Sequence, residues 1–151
     1  MSRRQGFTLI EMMMVVVIIS LTTLMAVPRF RSAVNRSNML SARAKVMASF
    51  ATARATAASS GRVTTFNVNG NRVWVTATPR RKLPVGANTM DTIVLPKNLS
   101  TMYGVTATPS SNTVNIGQTG LGTSGSTTSI ILSHGNIADT IRISQYGRVL
   151  K

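Results

Sequence analysis

The chain has 151 residues, with 17 lysines and arginines against three acidic residues, and a formal net charge of +14. This length provides for one modest globular domain, and so strong a basic excess predicts a surface that attracts nucleic acid, anionic lipid headgroups or acidic proteins. The absence of cysteine excludes disulfides and thiolate metal sites but does not identify the compartment, which must be inferred from the N-terminal residues.

An almost wholly apolar run extends from residue 7 to residue 27. As a helix it would span about 31 Å, which matches the hydrocarbon core of a bilayer. Arg3 and Arg4 precede it, so the positive-inside rule predicts a cytoplasmic N-terminus and an extracytoplasmic C-terminal domain. A secretory signal fits less well, because its apolar region is shorter and the residues around Ala26 form a poor small-x-small cleavage site. We therefore predict a single-pass membrane anchor.

One acid, Glu11, interrupts the apolar run five residues after Gly6. An ionised carboxylate inside a membrane costs a few kcal/mol, so such an acid is a candidate for a function that supplies a partner charge. Cleavage of the chain after Gly6 would create a positively charged amine on Phe7 in the same layer of the membrane. Glu11 of a neighbouring subunit can meet that amine during assembly, and pairing offsets the desolvation of both charges.

Residues 6–11, Gly-Phe-Thr-Leu-Ile-Glu, with basic residues upstream, resemble the processing motif of type IV prepilins and pseudopilins. The resemblance implies that residues 1–6 are a leader removed by a prepilin peptidase, and that the new amine of Phe7 is methylated. It also implies that Glu11 docks the subunit during assembly. The resemblance places the anchor in a bacterial inner membrane, and the implied partners are other pilin-like subunits at a filament tip and an inner-membrane assembly platform.

Pro28 follows the apolar run, and a proline within a helix removes the hydrogen bond to the carbonyl of Leu24, four residues back. Two interpretations stay open. Pro28 is either the site of a helix kink or local melting, as in the family that the chain resembles, or only the membrane boundary. We assign residues 7–28 to the transmembrane segment and residues 29–60 to an amphipathic helix that continues it.

Residues 29–60 contain neither glycine nor proline, and apolar residues recur at steps of three, four and seven, which predicts a helix with one buried face. The predicted face consists of Met39, Val46, Phe50, Ala53 and Ala57.

Four arginines of the same helix fall within about 40° of one another, at 100° per residue. They are Arg29, Arg36, Arg43 and Arg54. For Arg29, Arg31 and Arg36 we predict contact with anionic lipid headgroups, where each basic residue contributes about 1 kcal/mol. For Arg43 and Arg54 we predict packing along the edge of the apolar face.

After Gly61, a glycine well placed to end the helix, the apolar period changes to two. Residues 63–68 and 72–76 read as strands joined by a hairpin at Asn69-Gly70. Further strands are predicted at residues 93–95, 99–103, 114–116, 130–132 and 140–144. We therefore predict an α+β, pilin-like fold, in which the helix packs on an antiparallel β-sheet domain formed by residues 61–151. The helix exit over residues 53–64 resembles that of the GspH/FimT group of minor pilins.

Residues 117–129 are glycine, serine and threonine apart from Gln118 and Leu121, and this low apolar content predicts a mobile loop. The tract lacks the Gly-Lys-Ser/Thr of a phosphate-binding loop.

Catalytic candidates are scarce, because Asp91, Asp139 and His134 are the only acid-base groups outside the membrane. A triad of Ser133, His134 and Asp139 is disfavoured, since adjacent strand residues point to opposite faces. His134 has no companion ligands for a metal. We predict a protein that is not an enzyme and has no cofactor and no metal.

Two basic segments are candidate DNA contacts, because sequence-independent binding needs only a few cations near phosphates. They are Arg80, Arg81 and Lys82, and at the C-terminus Arg148 and Lys151. The alternative is a solvated positive surface with no ligand. Some FimT-like minor pilins, which the chain resembles, take up DNA through a C-terminal Gly-Arg-x-Arg element. Gly147-Arg148 matches its start, but Leu150 occupies the second basic position, so the resemblance extends only to Arg148.

The main functional prediction is a non-catalytic minor pseudopilin, similar to the GspH type, in the tip of the short periplasmic filament of a type II secretion system. The alternative is a FimT-like minor pilin of a type IV pilus that binds DNA during natural transformation.

Overall fold

The computed structural model describes residues 6–80 and 90–150. Arg81, Lys82 and Lys151 lie outside these residues. The described parts contain two helices and eight strands, in the order α1 (Leu9–Ser60), β1 (Thr64–Asn69), β2 (Arg72–Ala77), β3 (Asp91–Asn98), α2 (Leu99–Tyr103), β4 (Thr106–Pro109), β5 (Thr113–Ile116), β6 (Thr128–His134), β7 (Ile137–Ile143) and β8 (Val149–Leu150). The chain divides into two units, residues 1–36 and residues 37–151.

The first unit is the apolar part of α1. From residue 6 to residue 36 its large hydrophobic side chains are all exposed, from 39% for Val34 to 79% for Leu9. An 18-residue window has a mean hydropathy of 2.3 and no buried residue, so the helix is long and apolar enough to cross a membrane. Hydroxyl groups within it donate to carbonyls one turn back, as Ser20 does to Val16 at 2.8 Å, and so remain satisfied in lipid.

Pro28 lies inside α1, and the residues on both sides of it are helical. The single chain therefore shows no local melting at this position. A kink or loosening at Pro28 stays a proposal for the assembled state.

In the second unit, α1 buries one face against the strands. The buried residues include all five of the predicted face, together with Ala42 and Ser49. The rings of Phe50 and Phe66 meet edge to face, with centroids 5.4 Å apart, in the core between helix and sheet. Gly61, with φ +60°, follows the last helical residue as predicted.

The strands form two antiparallel four-stranded sheets, where the sequence had predicted one. The first sheet has the order β3-β2-β1-β5 and the second has the order β4-β6-β7-β8. In the β1–β2 hairpin Asn69 pairs with Arg72, so the two turn residues are Gly70 and Asn71. Gly70 has φ +53°, as a two-residue hairpin turn requires at its first position.

The predicted strand at residues 99–103 is wrong, because these residues form helix α2. The side chain of Asn98 caps its start by accepting the N–H of Ser100 at 3.0 Å, and Gly104 ends it with φ +67°. The short strands β4 and β8 were not predicted.

The glycine-rich tract at residues 117–129 is anchored, in contrast to the mobile loop that was predicted. Backbone hydrogen bonds join Thr123 to Asn115 at 2.9 Å and Gly117 to Leu121 at 2.8 Å. Gly120 is buried, and its carbonyl accepts a hydrogen bond from Nε of Arg54 at 2.9 Å. The tract is held by contacts with the rest of the domain rather than by a core of its own.

Candidate functional site

The N-terminus of α1 lies directly after the predicted cleavage site. Gly6 and Phe7 are not helical, and Phe7 is 75% exposed. The helix begins at Leu9, where Oγ1 of Thr8 accepts the N–H of Glu11 at 3.3 Å. Thr-x-x-Glu is the sequence of a capping box, a signal that our sequence reasoning missed. The Gly6–Phe7 bond, which the sequence predicts to be cut, is therefore non-helical and lies just before the start of α1.

Glu11 lies in the first turn of α1, where a negative charge interacts favourably with the helix dipole. The side chain is exposed on the apolar surface of the first unit. The two ion pairs within residues 6–80 and 90–150 involve other acids, Asp139 and Asp91. Glu11 is thus exposed on the apolar helix and takes part in neither of these two ion pairs.

The arginines of the predicted stripe have different environments. Arg29, Arg31 and Arg36 are exposed, so their contact with lipid headgroups stays a prediction. Arg43 forms an ion pair with Asp139 of β7, and Arg54 donates to the carbonyl of Gly120. These last two arginines pack onto the domain as expected, through polar partners that the sequence did not reveal.

A second feature of α1, also missed from the sequence, is an exposed row of small side chains. The row alternates steps of four and three, which is the spacing of the a and d positions of a coiled coil. Every member is exposed and uncharged: Ser37, Ser41, Ala44, Ala48, Ala51, Ala55 and Ala58. We call this the small-residue row. Such a surface lets a second helix approach closely.

Both acids of the sheet domain form ion pairs. Asp139 pairs with Arg43, and Asp91 accepts from Arg62 at 2.6 Å. Several exposed cations of the described residues take part in neither ion pair: Arg72, Arg80, Lys97, Arg142 and Arg148. Both acids of the sheet domain are thus paired, whereas these five cations are paired with neither of them.

The candidate DNA contacts are not brought onto one sheet. Arg80 follows β2 of the first sheet, whereas Arg148 precedes β8 of the second. The backbone of Arg148 is tied into a turn, with its N–H donating to Oγ of Ser144 at 3.1 Å. The two described members of these candidate segments thus belong to different sheets, and DNA contact at either segment stays a prediction.

The disfavoured catalytic triad is not assembled. Nδ1 of His134 lies 2.6 Å from the carbonyl of Gly104, Asp139 pairs with Arg43, and Ser133 contacts Thr106. Within the part of the chain that the structure describes, no group of three or more histidine or acidic residues can hold a metal ion.

Comparisons with known proteins bear on the N-terminal motif and on the fold. Residues 1–27 match the family model described as the prokaryotic N-terminal methylation motif. The fold is similar to the crystal structure of the type IV minor pilin FimU of Pseudomonas aeruginosa strain PAO1, with a TM-score of 0.56 and 17% sequence identity. That similarity covers 76% of this chain and 88% of the FimU chain. No curated protein sequence matches. The chain thus combines a prepilin-type N-terminal methylation motif with a pilin-like fold.

Proposed function

We propose that the chain is a non-catalytic minor pseudopilin in the tip of the periplasmic filament of a type II secretion system. The observation that carries this proposal is the start of α1. An exposed apolar helix begins two residues after the Gly6–Phe7 bond and carries one acid, Glu11, in its first turn. This is the layout of a subunit that is stored in a membrane and then transferred into a helical filament.

Processing supplies the charge that Glu11 needs. Prepilin peptidase cuts after Gly6, and the amine of Phe7 is then methylated and stays cationic. Glu11 of one subunit pairs with that amine on its neighbour, which neutralises both charges in a low-dielectric layer. In this account the N-terminus is cytoplasmic before processing and the sheet domain is periplasmic.

Lateral contact along the soluble part of α1 follows from the small-residue row. The opposite face of the helix is filled by the core of the same chain, with Ala42, Val46 and Ala53 fully buried. The row is therefore the side of α1 that remains for a neighbouring subunit. Its small side chains and lack of charge suit close helix packing against another pilin-like chain.

A second candidate function, the FimT-like minor pilin that binds DNA, is favoured by one observation. Both acids of the sheet domain are ion-paired, whereas Arg80 and Arg148 are exposed. Phosphate groups would meet little electrostatic competition at these cations. Deletion of the gene separates the two candidates, since the first predicts loss of protein secretion and the second predicts loss of DNA uptake.

The test of the filament role is substitution of Glu11. Glu11→Gln removes the charge and keeps the size, so the subunit should insert normally but be depleted from sheared filaments. Met14→Leu, an exposed apolar change one turn further on, is the control and should leave incorporation unchanged. Normal recovery of the Glu11→Gln subunit in filaments would contradict docking by charge.

A further inference from the structure

The glycine-rich tract at residues 117–129 presents one large apolar side chain to solvent. Leu121 is the single leucine of the tract, lies between Gly120 and Gly122, and is 52% exposed. Contacts of the two flanking glycines, one with α1 and one with the turn before β8, hold the tract without it. The fold therefore does not require a leucine at this position.

A second exposed apolar side chain, that of Tyr146, lies in the turn that the tract contacts. Tyr146 is 64% exposed. A Cβ added to Gly122 would lie 3.0 Å from the carbonyl carbon of Tyr146. Standard backbone dimensions then place the Cα atoms of Leu121 and Tyr146 within about 10 Å of each other. Both side chains are presented by hydrogen-bonded backbone, which lowers the entropy cost of binding a partner there.

An arginine accompanies each of these two side chains. Nε of Arg54 donates to the carbonyl directly before Leu121 at 2.9 Å. Arg148 follows Tyr146 by two residues and is exposed. Neither arginine takes part in the two ion pairs found in the described part of the chain. We call Leu121, Tyr146, Arg54 and Arg148 the loop patch.

We propose that the loop patch binds an acidic segment of a different protein chain. An apolar side chain of that segment lies against Leu121 and Tyr146, and its carboxylates lie near Arg54 and Arg148. Tyrosine and arginine are enriched among the residues that contribute most to protein interfaces, and a cationic patch is complementary to an acidic surface. The proposal goes beyond both candidate functions and depends on neither.

A second copy of the chain does not fit the loop patch. The chain has three acids, of which Asp91 and Asp139 are paired and Glu11 lies in the apolar part of α1. The sheet domain of a copy therefore has no unpaired carboxylate to offer, and a net charge of +14 makes two copies repel each other. A nucleic acid fits less well than an acidic protein, because phosphates would meet the arginines and leave Leu121 in water.

Photo-crosslinking of the full chain in living cells identifies what lies on the loop patch. The photoreactive residue p-benzoylphenylalanine takes the place of Tyr146 in one strain and of Leu121 in another. We expect both strains to give the same light-dependent adduct, in which mass spectrometry finds a peptide of another chain with more acidic than basic residues. The same probe at Ile131, which is 45% exposed on β6, is the control and should not give this adduct.

Charge reversal tests the role of the arginines in the Tyr146 probe strain. Arg148→Glu should lower the adduct yield about fivefold or more, because it places a carboxylate against the acids of the partner. Arg148→Gln removes the charge alone and should give a smaller loss. Lysine in place of the crosslinked acids of the partner should restore the yield with Arg148→Glu. Arg72→Glu, exposed on β2 of the first sheet, is the control and should leave the yield unchanged.

Several results would overturn the proposal. An adduct with a second copy of the chain would assign the loop patch to self-association, and an adduct removed by nuclease would assign it to nucleic acid. Absence of an adduct common to the Tyr146 and Leu121 strains, or a crosslinked peptide without an acidic excess, would contradict an acidic partner. Equal adduct yields for Arg148→Glu and Arg72→Glu would exclude recognition by charge.

Discussion

Gly122 and Gly147 are in backbone contact. A Cβ added to Gly122 would lie 2.7 Å from the backbone nitrogen of Gly147, and one added to Gly147 would lie 3.0 Å from the nitrogen of Gly122. This contact joins the glycine-rich tract to the turn before β8. It also explains Gly147, which has φ +77° and is buried, as a structural residue. The Gly147-Arg148 pair needs no DNA ligand to account for its glycine.

Substitution of Gly122 by alanine should destabilise the domain. The new methyl group would lie 2.6 Å from the carbonyl oxygen of Gln145, and a backbone atom cannot turn aside as a side chain can. We expect a loss of about 1–3 kcal/mol in the free energy of unfolding, the usual cost of overpacking. The measurement is urea unfolding followed by the fluorescence of Trp74.

Gly125→Ala is the matched control, because it lies in the same tract with no atom within 4 Å of an added Cβ. Its unfolding midpoint should equal or slightly exceed that of the wild type. Equal midpoints for Gly122→Ala and Gly125→Ala would show that the tract is not held against the turn.

The ion pair of Arg43 and Asp139 links α1 to β7. Their side chains are 26% and 30% exposed, so water screens the attraction and its contribution is small. Asp139→Asn should lower the free energy of unfolding by about 1 kcal/mol. The backbone N–H of Thr140 donates to Oδ1 of Asp139 at 2.8 Å. Asparagine keeps an oxygen that accepts this hydrogen bond, so the substitution removes the charge and leaves the hydrogen bond in place.

A double-mutant cycle with Arg43→Gln measures the coupling, which should shrink in about 1 M salt. The same loss of stability for Asp139→Asn in an Arg43→Gln background would show that the two side chains do not act as a pair.

The small-residue row predicts that bulk on one face of α1 blocks assembly without unfolding the subunit. Ala48→Leu and Ala51→Leu are exposed changes to a good helix former, so the melting temperature should hardly move. Close packing of a second helix is obstructed, and incorporation into sheared filaments should fall several-fold. Thr108→Leu, exposed on β4, is the control. Unchanged incorporation of the alanine variants would remove the row from the interface.

Helix α2 is capped at its start by the side chain of Asn98. Asn98→Ala removes the oxygen that accepts the N–H of Ser100 and should cost about 1 kcal/mol of stability. Asn98→Asp keeps the acceptor and should retain most of the wild-type midpoint. If both variants behave alike in thermal unfolding followed by circular dichroism, the cap does not stabilise the domain.

The buried helix face and the first hairpin could be predicted because both produce a local period in the sequence. The buried face of α1 follows from its 3.6-residue period, and the β1–β2 hairpin follows from alternation around Gly70. Residues 99–103 were wrongly assigned because a five-residue helix has too little periodicity to outweigh its β-favouring residues. Asn98 and Gly104, at its two ends, were the signal that could have corrected this.

The features that the sequence did not predict depend on contacts between residues that are distant in sequence. Alternation shows which face of a strand is buried but not which strand lies beside it, so one sheet was expected in place of two. The order of the glycine-rich tract depends on Gly147, and the role of Arg43 depends on Asp139, 96 residues away. The N-terminal methylation motif could be recognised in the sequence because its residues, among them Gly6, Phe7 and Glu11, lie within one short segment.

Cleavage after Gly6 is expected to make the cation that matches Glu11 in the apolar helix. Mass spectrometry of the chain purified from membranes of cells that contain prepilin peptidase measures this cleavage. We expect a chain that begins at Phe7 with a methylated amine, and an uncut chain when the peptidase is deleted. A chain that still begins at Met1 in the peptidase-containing cells, or one trimmed near Ala26 and free of the membrane, would contradict it.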